Sequence, residues 1–175
     1  MAGSVLVLVL LFHVVGSTSG QSPPSIQGVW RPVARTIPST TAPGDRSDPF
    51  AHVPAGTQTS LQPGLLIFTA GHYSRVTDTA VQPRPTAAEA VPGKPTLAEL
   101  QARWGPFQAN AGTYTLEGST LTLRPLVAKN PGDQREGSFA RISVKLEATR
   151  LWLTPVENPA GRIAAGVTSE YVRVE

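Results

Sequence analysis

Ser138-Phe139-Ala140-Arg141-Ile142-Ser143-Val144-Lys145-Leu146-Glu147 alternates without a break. Ala140, Ile142, Val144 and Leu146 share one side, and Arg141, Ser143, Lys145 and Glu147 share the other. Successive side chains of a strand point to opposite faces, so this stretch is a strand with one dry and one wet face. The pattern continues in both directions. Upstream, 112–117 is a strand, Gly118-Ser119 is a two-residue turn of the Gly-X kind, and 120–127 returns. Lys129-Asn130-Pro131-Gly132-Asp133 is a wide turn. Downstream, Ala148-Thr149 turns into a strand over 150–156, Asn158-Pro159-Ala160-Gly161 turns again, and 167–175 is the last strand.

The N-terminal half is less regular. Ser25-Ile26-Gln27-Gly28-Val29-Trp30-Arg31-Pro32-Val33 opens a first strand over 26–36, in which Pro32 suits an edge or a bulge because it cannot donate to a ladder. Residues 37–64 are a long connection rich in Pro and Gly. Leu65-Leu66-Ile67-Phe68-Thr69, the turn Ala70-Gly71 and His72-Tyr73-Ser74-Arg75-Val76-Thr77 read as a hairpin. Thr86-x-x-Glu89 and Thr96-x-x-Glu99 each have capping-box spacing. Only the second continues, as Leu97, Leu100 and Trp104 on one helical face, before Gly105-Pro106 stops it. The expectation is an all-β domain over 25–175: an antiparallel up-and-down β-barrel of about eight strands with one short helix at about 96–104, lying over the sheet or the barrel mouth. Closure removes exposed strand edges, and eight strands leave room for one small ligand.

Residues 1–20 stand apart. Val5 to Val15 is apolar except for His13, and Gly16-Ser17-Thr18-Ser19-Gly20 comes after it. That is the layout of a secretory signal peptide, too short for a comfortable membrane span, with Gln21 as the expected first residue of the mature chain. The expected location is secreted or periplasmic, with no stable membrane insertion after cleavage. The absence of cysteine excludes disulfides and thiolate chemistry. The net charge is +3 without a basic cluster, which argues against nucleic acid as a partner. With 16 Gly and 17 Pro in 175 residues, turns and short strands are favoured over long helices.

Gly28-Val29-Trp30-Arg31, Leu66-Ile67-Phe68-Thr69-Ala70-Gly71-His72-Tyr73-Ser74, Gly105-Pro106-Phe107 through Gly112-Thr113-Tyr114, and Leu151-Trp152-Leu153-Thr154-Pro155 occur in order across almost all of 26–175. With Arg173 on the final strand, this set resembles the lipocalin superfamily, and more closely the bacterial lipocalin-like domain proteins. The resemblance implies that Gly28 and Trp30 sit at the closed end of a barrel, that Arg173 packs over Trp30, and that 37–64 partly covers a ligand mouth. The chain departs from animal lipocalins in lacking disulfides and in placing its helix between early and middle strands. Ligand class is therefore not carried over.

The chemistry-bearing residues are few. His72, beside Tyr73 and with Asp78 further along its strand, is the one candidate catalytic base; a hydrogen-bonded structural role competes. His52 with Asp45 and Asp48 lacks metal-site spacing, and no metal or cofactor is expected. Phe68, Tyr114 and Ile142 are the candidate ligand liners. Three functions fit: binding of a small apolar or amphipathic molecule inside the barrel; a barrel isomerase, cyclase or hydrolase using His72 with Tyr73 or Tyr114; or an envelope or surface module with a filled barrel that binds another protein. Binding is favoured over catalysis, and the oligomeric state is left open.

Overall fold

The structure, a computed structural model, describes residues 24–38, 55–59, 61–84 and 95–175. The proposed signal peptide, His52 with its two aspartates, and the Thr86–Glu89 pair lie outside the described residues. In chain order the elements are β1 (Gly28–Ile37), β2 (Gly56–Gln58), β3 (Gly64–Phe68), β4 (His72–Asp78), α1 (Leu97–Trp104), β5 (Phe107–Glu117), β6 (Thr120–Ala128), β7 (Ala140–Leu146), β8 (Arg150–Asn158), β9 (Gly161–Arg162) and β10 (Thr168–Arg173). All pairings are antiparallel. The strands β1, β3, β4, β5, β6, β7, β8 and β10 succeed one another around the sheet, and β10 pairs with both β8 and β1. This is the expected all-β architecture, a closed eight-stranded barrel. Two strands lie outside the ring: β2 adds to the end of β1, and β9 makes a small hairpin with β8.

Directly opposed residues of an antiparallel pair share a face, so the register identifies what fills the barrel. Leu121 opposes Ile142 on β6–β7, Val144 opposes Leu153 and Leu146 opposes Leu151 on β7–β8, and Phe68 opposes Tyr73 on β3–β4. Those residues, with Trp30, Leu66, Leu123 and Tyr171, form one packed core; Trp30, Leu66, Leu121 and Leu151 are fully buried. The core occupies the end where β1 starts and β10 finishes. That end is closed by Trp30, whose ring nitrogen donates to the Ile26 carbonyl at 2.7 Å, and by Arg173, whose guanidinium lies 4.2 Å from the indole centre.

The register slips in three of the pairings, on β1–β10, β5–β6 and β7–β8, and the first two bear on the interior. The β1–β10 register slips between Pro32 and Ala34. A bulge inserts one extra residue and reverses the facing of the residues beyond it. Trp30 and Pro32 face inward before the bulge, and Arg35 and Ile37 face inward after it. The second slip, on β6 opposite Ala111 and Gly112, presses the two backbones together: a Cβ at Gly112 would overlap the Arg124 carbonyl, so only glycine fits.

Helix α1 begins where Thr96-x-x-Glu99 places it. The Thr96 hydroxyl accepts from the Glu99 amide at 3.3 Å, and the Glu99 carboxylate accepts from the Thr96 amide at 2.6 Å. Its orientation runs against the usual amphipathic rule. No residue of α1 is buried, and Leu97 and Trp104 are 71% and 56% exposed. The helix is held by polar ties to its C-terminal end. Lys129 donates to the carbonyls of Trp104, Gly105 and Phe107, and Arg84 donates to that of Arg103 at 2.8 Å. Trp104 also meets Phe107 edge-on, ring centres 6.1 Å apart.

Candidate functional site

Above the packed end, the barrel interior changes character. The line of directly opposed residues Trp30, Leu66, Arg75, Asn110 climbs across β1, β3, β4 and β5. Its first two members are apolar core, and its last two are polar and face the same interior. Tyr73 lies two residues before Arg75 on the same face of β4. Arg35 enters from β1 through the bulge, opposite Ser169, and is only 6% exposed. Beyond Arg35, Ile37 and Val167 form a second, smaller apolar cluster. From closed end to mouth the interior is therefore apolar, then polar and cationic, then apolar again.

Burial of polar groups without partners is costly, about 1–3 kcal/mol for each buried donor or acceptor left unmade. The Tyr73 hydroxyl oxygen, Arg75 Nε and Asn110 Oδ1 are all buried and meet no hydrogen-bond partner among the described residues. Arg75 makes no ion pair among the described residues. Electrostatics agree with a desolvated layer. Burial pushes the Tyr73 phenol up to about 12, opposed by the positive charge of Arg75 and aided by the negative charge of Asp133. Burial also lowers the affinity of Arg35 for its proton, with Tyr171 acting in the opposite direction. The three unpartnered polar atoms come from residues that share the inner face of β4 and β5, where Arg75 directly opposes Asn110.

The three expected liners sit lower. Phe68 and Ile142 belong to the packed core. Tyr114 packs edge-on against Phe68, ring centres 5.0 Å apart, and its hydroxyl donates to the Thr69 carbonyl at 2.7 Å. All three face inward, and together they build the floor beneath the polar layer. His72 faces outward opposite Thr113, while Tyr73 and Tyr114 face inward. The residues of the enzymatic alternative are thus divided between the two sides of the wall. Asp78, on the same strand, pairs with Arg84.

Arg35, Arg75 and Asn110 are the residues that the sequence alone does not single out. Arg75 carries a signal: the Ala70-Gly71 turn sets Phe68 opposite Tyr73, which places Arg75 on the inner face by simple alternation, whereas Asn110 lies ahead of the strand expected from 112 and carries none. Arg35 carries none, since alternation from Trp30 puts it outside and only the bulge turns it in.

Elsewhere, an open cleft of about 570 Å³ lies on the β8–β9 hairpin, lined by Val156, Glu157, Arg162, Ile163 and Ala164. Among the described residues no cluster of His, Asp or Glu could hold a metal ion, and no helix is long and apolar enough to cross a membrane. The chain matches no family model, and no curated protein matches it.

Proposed function

We propose that this chain is an exported, lipocalin-like barrel protein that binds one small amphipathic molecule, with the polar end of the ligand held inside the barrel by Arg75, Tyr73 and Asn110. The observation carrying this reading is the set of buried polar atoms on Tyr73, Arg75 and Asn110 that meet no partner among the described residues, between two apolar zones. A barrel serving only as a scaffold gains nothing from them, because apolar side chains of similar shape would remove the desolvation cost. A binding site gains orientation and specificity from a few polar groups in an apolar surround. Export is supported by the apolar run and small residues of 1–20.

The test is equilibrium titration of the full chain with an anionic fluorescent probe such as anilinonaphthalene sulfonate, together with native mass spectrometry of freshly purified protein. Saturable binding at one site per chain, weakened by Arg75→Met, is expected. Non-saturable binding, or binding indifferent to Arg75→Met, would instead favour a filled barrel acting through its surface.

A further inference from the structure

We propose that the head group taken by this interior is a carboxylate with a hydrogen-bond donor next to it, as in a 2-hydroxy acid or an N-acyl amino acid. The inference rests on the binding reading above and specifies its ligand.

The unpaired atoms prescribe the chemistry. Arg75 presents a buried Nε–H, and with the adjoining guanidinium N–H it forms a planar fork that fits a carboxylate. The Tyr73 hydroxyl, two residues away on the same face, supplies a further donor, and its burial keeps the phenol protonated through the physiological range. Asn110, directly opposite Arg75, presents Oδ1, an atom that only accepts. A plain carboxylate would set acceptor against acceptor at that point. An O–H or N–H on the neighbouring carbon resolves the conflict and satisfies all three protein atoms at once.

Charge and shape agree. Arg35 adds a second buried cation at this level. Asp133, on the turn Pro131–Gln134, is a carboxylate whose charge reaches Tyr73, yet it makes no ion pair with Arg75 among the described residues. Arg75, which makes no ion pair among the described residues, supplies a positive charge here suited to a single negative one. Trp30 and Leu66 fill the interior below, so the apolar part of the ligand would run the other way, toward Ile37 and Val167.

The experiment is calorimetric titration of the full chain with 2-hydroxyoctanoate, octanoate and octanol, each also tested as a competitor of the fluorescent probe. A site built to bond a ligand hydroxyl discriminates strongly against the analogue lacking it. The hydroxy acid is expected to bind about tenfold more tightly than octanoate, and octanoate about tenfold more tightly than octanol. Asn110→Leu should erase the first gap and Arg75→Met the second, with circular dichroism showing both variants folded. Octanoate binding as well as its 2-hydroxy analogue would overturn the donor requirement. Equal binding of all three, or displacement of the probe by none of them, would overturn the head-group inference while leaving the binding reading intact. Failure of the probe itself to bind would bring down that reading and this inference with it.

Discussion

Arg173 lies over Trp30, its guanidinium carbon 4.2 Å from the centre of the indole, and the two residues are directly opposed in the β1–β10 register. The same guanidinium donates to the carbonyls of Gln27 at 2.6 Å, Ala148 at 3.1 Å and Ser25. One side chain thus ties the chain entering β1, the β7–β8 turn and the last strand over the ring that closes the barrel. The cation–π contact contributes about 0.5–2 kcal/mol depending on desolvation, and the carbonyl bonds add to it. Arg173→Ala is expected to lower stability by about 2 kcal/mol in urea denaturation, and Arg173→Lys to restore only part, because an ammonium lacks the planar fork. Trp30→Ala removes a fully buried ring and should cost about 3–5 kcal/mol.

Gly28 is the residue that lets this closure form. Its φ of +129° is one that L side chains rarely adopt. A Cβ there would also overlap both the Glu175 carbonyl and the Arg173 guanidinium. Gly28→Ala should therefore destabilise by more than the conformational penalty alone, about 2 kcal/mol or more. In the Arg173→Ala background the cost should fall, since one of the two clashing groups is gone. A double-mutant cycle with strictly additive effects would show that the two residues do not share this contact.

The barrel is legible in the sequence because its decisive strands alternate cleanly and are joined by tight turns. The run 138–147 keeps its period throughout, and Thr96-x-x-Glu99 marks the start of α1. The features that the sequence hides have physical causes. β2 and β9 have three and two residues and no periodicity to detect. β5 starts at Phe107, earlier than the strand expected from 112, because Gln108-Ala109-Asn110-Ala111 has no β-branched residue to announce it. The spacing of Leu97, Leu100 and Trp104 predicts that α1 rests its apolar face on the barrel, yet Leu97 and Trp104 face solvent while Glu99 and Arg103 are the less exposed positions. Periodicity defines a helix face and does not say which way it points. The polar layer is hidden for a related reason: a bulge reverses parity, and Arg35 depends on one.

The cap of α1 should act locally. Thr96→Ala removes the acceptor for the Glu99 amide, and such caps contribute about 1 kcal/mol to their helix. Because α1 buries no side chain, the change should appear as faster amide exchange over 97–104, with little movement of the global urea midpoint. The hydrogen bonds from the Thr96 amide and hydroxyl hold the Glu99 carboxyl below its ordinary range. A depressed carboxylate stabilises above its unfolded-state value and stops doing so as pH falls through the folded one. Protection of the 97–104 amides, measured relative to the intrinsic exchange rate at each pH, should accordingly fall in acid in the native chain, and far less in Glu99→Gln.

Two buried-face tyrosines should respond oppositely to loss of the hydroxyl. Tyr114 donates to the Thr69 carbonyl, so Tyr114→Phe should cost about 0.5–1.5 kcal/mol. The Tyr73 hydroxyl has no protein partner among the described residues, so Tyr73→Phe should leave stability unchanged or raise it, since it removes a desolvated polar atom. The same variant should weaken binding of 2-hydroxyoctanoate. Chemical denaturation and calorimetry on the two variants separate a structural hydroxyl from a ligand-facing one.

Tyr73 also makes the barrel sensitive to alkali. Its phenol ionises at about 12 in the folded chain, against an ordinary value of 10.0. Burial is the main cause, with Asp133 adding to it and Arg75 opposing both. A folded-state value raised above the unfolded one contributes stability that is fully present below pH 10. Between 10 and 12 the unfolded chain sheds this proton while the folded chain keeps it, so stability should fall with each step in pH across that window. Spectrophotometric titration of the tyrosines should show a step at about 12 that Tyr73→Phe deletes, while Tyr114, also raised by burial, is separated from it by Tyr114→Phe. An anionic ligand bound against Arg75 should move the step later still, because tyrosinate would then face a second negative charge. A late step that survives in Tyr73→Phe would assign it to another tyrosine and remove the argument that the Tyr73 phenol stays neutral beside the ligand.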